Sequence, residues 1–220
     1  MKTLLGFMFL LSASLAMAQQ NQEQTLDYRH ALSVALKTAN TVPDDSETAA
    51  YVHDYYRSVY DQSKDNEFEW HDKLEQYRNE LTKARDSVDL ATEYRIMAGV
   101  KFGEYDFERG GFPLELKPGQ YYRLQPEKTD WTRKMKEVDI MLSNTGEVNF
   151  FKIDKDKAKE LVSRVNALKD DLGNVTREVR VVFHYKAVDS SDNAYQLIRS
   201  RYTTENYLIV GKIDRVEILN

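Results

Sequence analysis

"MAGVKFGEYDFERGGFPLEL", residues 97 to 116, is where the periodicity of the chain changes. On its N-terminal side, from Gln24 to Met97, there is no glycine and one proline, Pro43, and apolar residues recur every three or four positions. That spacing is the mark of amphipathic helices. From Gly99 onward apolar and polar residues alternate, and every other proline and most of the glycines lie here. Period two is the mark of strands. The expected class is α+β: a helical region over residues 19–98 forming a helical hairpin, then an antiparallel β domain over 99–220 with one inserted helix.

Within the quoted stretch Glu104, Asp106 and Glu108 share one strand parity, while Tyr105 and Phe107 share the other. The expectation is an edge hairpin turned by Gly110-Gly111, with the two rings inward and the three acids in water. Acids on one side of a strand lie about 6.5–7 Å apart at their Cα atoms. That separation also suits an acid/base pair acting on a glycosidic bond, or oxygen ligands for calcium. Pro113 marks the returning strand as a sheet edge.

Upstream, a first helix is expected over Leu26 to Ala39, stopped by Asn40 to Asp45, and a second from about Ser46 through Tyr60. In a third, Trp70, Leu74, Tyr77, Leu81, Ala84, Val88 and Ala91 follow alternating four- and three-residue steps. Such a seam needs a cover, either the tyrosines of the second helix or another copy of the chain. Downstream, strands are expected at Val100 to Glu108, Phe112 to Leu116, Gln120 to Leu124, Lys136 to Ser143 and Val148 to Ile153, with a hairpin loop at Asn144 to Glu147. A helix capped by Asp154 and ended by Gly173 follows. The last strands are Val175 to Val188, Ala194 to Tyr202 and Tyr207 to Leu219, with a bulge or bend at Gly211. This set suits a small, partly open OB-like barrel or a flatter sheet with one covering helix.

The first 18 residues have the form of an export leader: Lys2, an apolar run from Leu4 to Leu15, and Ala16-Met17-Ala18 before the expected cleavage point. The expected location is the periplasm or the exterior, with no transmembrane segment after cleavage. Cysteine is absent, which excludes disulfides, thiol catalysis, Cys-bound metals and a lipidated cysteine. The formal net charge of −5 argues against nucleic-acid binding. The charge is uneven: residues 19–98 hold 16 acids and 9 bases, whereas residues 99–220 hold 20 and 21.

Arg180, His184 and Lys186, with Arg199 and Arg201 from the strand expected next, form the one candidate cationic patch, provided the register aligns them. It would take an unknown protein partner or an anionic envelope ligand. Glu67, His71 and Glu75 lie on one helical face but lack a ligand from a second element, and Asp189-Ser-Ser-Asp192-Asn lacks the glycine and distal glutamate of a calcium loop. No metal or cofactor is expected, and no nucleophile motif is present. Asn174-Val-Thr176 has the form of a glycosylation acceptor.

The segments "KFGEYDFERGGFPLEL", "VNFFKIDKDKAKELVSRVN" and "LIVGKIDRVEIL" resemble an uncharacterised family of exported bacterial proteins of unknown function, over roughly residues 99–220. The resemblance implies a periplasmic location and carries over no catalytic residue. The functional expectation is a non-catalytic binding or envelope-associated interaction module. Two alternatives stand beside it: a carboxylate-dependent enzyme on envelope polysaccharide using Glu104, Asp106 or Glu108, and a structural oligomer built on the helical seam.

Overall fold

Asp27 starts the first helix by accepting a hydrogen bond from the His30 N–H, and Asn40 ends it in the left-handed conformation at φ 53°. The computed structural model describes residues 24–117, 119–127, 132–167 and 176–219. Residues 1–18, expected to be an export leader, and Gly173 and Asn174 lie outside the described residues. This helix, α1 (Tyr28–Ala39), is buried almost all round, so it sits inside the molecule. It packs on the sheet on one side and on the remaining N-terminal helices on the other.

Those helices are α2 (Asp45–Tyr55), α3 (Arg57–Ser63) and α4 (Glu67–Asp86). Asp44, rather than Ser46, caps α2, in a reciprocal box with Glu47. The continuous second helix expected through Tyr60 is broken at Tyr56, whose φ of −130° and ψ of 49° leave helical space. The break lets the Tyr56 ring lie 4.5 Å from that of Tyr77 on α4, while the Tyr60 and Trp70 rings meet edge-on at 5.4 Å. The tyrosines therefore cover the seam from within the chain, as in a helical hairpin. The seam is shorter than its spacing suggested, because α4 ends at Asp86.

The chain then enters β2 (Glu93–Lys101), where strand geometry begins several residues before Gly99. Tyr94, Ile96, Ala98 and Val100 turn inward and Met97 is exposed. The other strands are β1 (Gln24–Thr25), β3 (Gly111–Pro113), β4 (Tyr121–Leu124), β5 (Val138–Leu142), β6 (Phe150–Lys152), β7 (Glu178–Val188) and β8 (Tyr207–Ile218). The main sheet runs β1-β2-β7-β8-β5-β4 and curls into an open half-barrel, and β3 and β6 form a separate pair.

The class is α+β with N-terminal helices, but the sheet is mixed rather than antiparallel. β5 runs parallel to β8, from Val138 against Tyr207 to Leu142 against Gly211. The hairpin expected at Asn144 to Glu147 is not formed, because β6 pairs with β3. Asn144 instead exchanges two hydrogen bonds with the backbone of Ile213. Only one helix was expected beyond residue 99, and among the described residues there are two: α5 (Lys155–Ala167), beginning after Asp154 as expected, and α6 (Asn193–Arg201).

α6 replaces the strand expected at Ala194 to Tyr202. Asp192 accepts from the Ala194 N–H at its start, and Tyr195, Ile198 and Tyr202 share a face that packs on Leu208 and Val210. This explains the disordered parity of the last strand. Leu208 and Val210 point to α6 on the outer face of β8, whereas Ile209 and Ile213 point to the main core on the inner face. The register shifts between His184 and Tyr185, so the bulge falls at Asp214 of β8 and not at Gly211. Gly211 is required for another reason: a Cβ there would stand 2.4 Å from the Tyr185 ring.

Candidate functional site

Asp154 caps α5 by accepting from the N–H groups of Asp156 and Lys157, and these bonds hold its carboxyl below the usual carboxylate range. The cap fixes where the helix begins. Ala158, Leu161 and Val165 then bury one face of α5 in the core. The flank beside them, carrying Lys157, Glu160 and Arg164, forms one wall of a cleft of about 700 Å³. The opposite wall is the segment from Phe151 to Asp154 together with Ile218 at the end of β8.

Arg164 also lines a second cleft of about 560 Å³, whose other side is Thr176 to Arg180 and Leu219. Shared at Arg164, the two clefts make one groove along α5. Apolar side chains supply much of its lining and charged groups its rim, within the size range of small-molecule sites. The side chains of Lys152, Arg164 and Arg180 have no hydrogen-bonding or ion-pair partner among the described residues, so three cations at the groove are open to a ligand.

Of the candidate catalytic and ligand-binding residues named from the sequence, Arg180 alone lines this groove. His184 was expected on the polar surface and is instead buried, 1% exposed. Its Nδ1 lies 3.2 Å from Glu93 and its Nε2 3.3 Å from Glu217, with Arg215 bridging the two carboxylates. Lys186 faces Asp214 at 3.2 Å. Arg199 and Arg201 are on the last turn of α6 rather than on a strand neighbouring Arg180. α6 leads into the first residues of β8, whereas the Arg180 carbonyl accepts from Leu219 beyond its last, so nearly the whole strand separates the two groups.

Glu104, Asp106 and Glu108 do not form the regular row expected of a strand. Asp106 closes a turn, its Oδ1 accepting from the N–H groups of Glu108 and Arg109, each at 2.9 Å. Glu104 and Glu108 point into solvent. Phe107 was expected inward and is 75% exposed, because the turn rotates it out while the Tyr105 hydroxyl bonds to the Ile153 carbonyl. Among the described residues no group of three His, Cys, Asp or Glu side chains could hold a metal ion. Asp189 forms a turn as expected, accepting from Ser191.

Two carboxylates that the sequence did not single out organise the interior. Asp54 on α2 accepts from His53 Nδ1 and from the N–H groups of Lys134 and Met135, which ties the helical layer to the approach to β5. Asp139 on β5, with no exposed surface, accepts from Arg123, Tyr202 and Asn206. Burial alone would raise the pKa of Asp139, but the bonds from Arg123, Asn206 and Tyr202 and the Arg123 charge outweigh it and hold the carboxyl below its ordinary value. Burial first, and then the Asp139 carboxylate working against a lowering bond from Thr204, pushes the Tyr202 hydroxyl up to about 12. These networks have their polar atoms satisfied and serve packing. An aspartate inside an apolar alternation such as Val138-Asp139-Ile140 was the available signal for the second.

These features define an α+β protein with a helical layer over a mixed, curled sheet and an open groove beside α5. The chain belongs to the family described as "Domain of unknown function (DUF4852)", whose model matches residues 44–164. The match takes in α2 to α4 as well as β2 to β6 and most of α5, so these three helices are part of the family's pattern, whereas α1, β7, α6 and β8 lie outside the matched residues. No curated protein and no solved structure matches the chain. No helix among the described residues is long and apolar enough to cross a membrane.

Proposed function

We propose that the protein is an exported, non-catalytic binding module of the cell envelope that captures an anionic ligand in the groove beside α5. One observation carries the reading: Arg164 on α5 and Arg180 on the next strand, β7, line one groove without an acidic ion-pair partner among the described residues. An unpaired guanidinium is a strong hydrogen-bond donor to phosphate or carboxylate oxygens, and two of them converging on one space favour a single anionic group there. Export rests on the leader pattern of Lys2, Leu4 to Leu15 and Ala16-Met17-Ala18.

Both arginines are exposed, so charge reversal tests the site without disturbing the core. Amide shifts in ¹H–¹⁵N spectra on adding inorganic phosphate should be confined to residues 151–164, 176–180 and 218–219. The double variant Arg164→Glu, Arg180→Glu should abolish them while the thermal midpoint stays unchanged. Shifts scattered over the surface, or undiminished in that variant, would overturn the reading.

A further inference from the structure

We infer that the ligand is a single-headed anionic amphiphile whose apolar chain lies over Phe151, Ile153, Leu161 and Ile218 and whose head group reaches Arg164 and Arg180. The inference rests on the groove reading above and adds the chemical class of ligand. The two clefts differ in lining: the first presents those four apolar side chains, and the second brings the two arginines together. Arg164 stands where they join. The two arginines thus lie at one end of the groove and the apolar bed at the other, where Lys152 and Lys157 stand at its edge.

The carboxylates decide against a polyanion. Glu160 lines the first cleft and Glu178 the second, so negative charges repeated along a glycan would meet both. Asp154 is committed to the α5 cap. A ligand with its charge at one end can keep clear of Glu160, because only its chain passes there. Lys152 and Lys157 edge the apolar cleft, and their methylene stems can extend its apolar wall while their ammonium groups stay in water.

The test is a calorimetric titration of the full mature chain with inorganic phosphate and with butyl, hexyl and octyl phosphate below their micelle concentrations, with octyl glucoside as the uncharged comparison. Affinity should rise along the alkyl series. Burying about half the methylenes of the octyl chain corresponds to about a hundredfold gain over phosphate. Ile218→Asn should reduce that gain while leaving phosphate binding intact. If this variant unfolds, the alkyl series on the native protein still decides. A flat series with phosphate bound would overturn the amphiphile and leave the anion site standing. Octyl glucoside binding as tightly as octyl phosphate would overturn both readings, and so would binding of none of the probes.

Discussion

The Asp139 carboxylate on β5 lies 2.8 Å from the hydroxyl of Tyr202, immediately beyond the last turn of α6. This contact fastens the outer helix to the sheet at the parallel β5–β8 pairing. Removing the carboxylate takes the acceptor from the half-buried Tyr202 hydroxyl and leaves the partly solvated Arg123 guanidinium only its contact with Glu137, 3.0 Å from Nε. Asp139→Ala should cost about 3 kcal/mol in urea unfolding, the scale for breaking a buried charged pair. Tyr202→Phe, which removes one donor, should cost about 1 kcal/mol. Equal costs would show that the carboxylate does no more than hold the hydroxyl.

The same aspartate makes stability depend on pH. Its carboxyl is held below its ordinary value in the folded protein, so its contribution is fully present above the unfolded-state pKa of about 4. It is lost as pH falls through the depressed folded value. The stability gap between the native chain and Asp139→Asn should therefore be constant near neutrality and close below about pH 4. A gap that widens on acidification would contradict the assignment.

Asp54 is a second fastening. Asp54→Ala leaves the N–H groups of Lys134 and Met135 without their acceptor at a buried position, at a cost of about 2–4 kcal/mol. Hydrogen exchange should accelerate most at residues 132–138 and along α2. Uniform acceleration would show that the contact is not local.

Gly211→Ala should destabilise the protein by about 1–3 kcal/mol, because the added methyl meets the Tyr185 ring at 2.4 Å and Leu142 Cδ2 at 3.0 Å. Gly146→Ala, where nothing lies within 4 Å, should be neutral or slightly stabilising. Thermal midpoints of the two variants compare a crowded glycine with an open one.

The α4 seam is covered inside the chain, with Leu81 buried in the main core. Leu81→Ala should cost about 2–4 kcal/mol, and the unfolding midpoint should not shift with protein concentration. A midpoint that rises with concentration would restore the seam as an oligomer contact.

The α+β class, α1 with its stop at Asn40, α5 with its Asp154 start, and the tyrosine cover over α4 were all legible in the residues, because each depends on local periodicity or a cap within a few positions; the Asp27 cap that starts α1 two residues after the expected Leu26 was not read. The bulge in β8 was legible as a broken alternation, though not its place. α6 was not legible as a helix. Tyr195, Leu197 and Arg199 alternate as a strand would, and only the apolar shelf of Leu208 and Val210 favours the helical pairing of Tyr195, Ile198 and Tyr202. The expected patch failed with it, since Arg199 and Arg201 left the strand and His184 was drawn in between Glu93 and Glu217.

By itself the sequence determined which segments have an apolar face and of what period, that no disulfide can staple them, and that the net negative charge concentrates in the helical half. Tertiary structure alone decided which faces meet. The partner of β5 and the two-sided burial of β8 depend on contacts between residues remote in the chain. No local spacing encodes such contacts, because the free energy that selects them comes from burying two surfaces against each other.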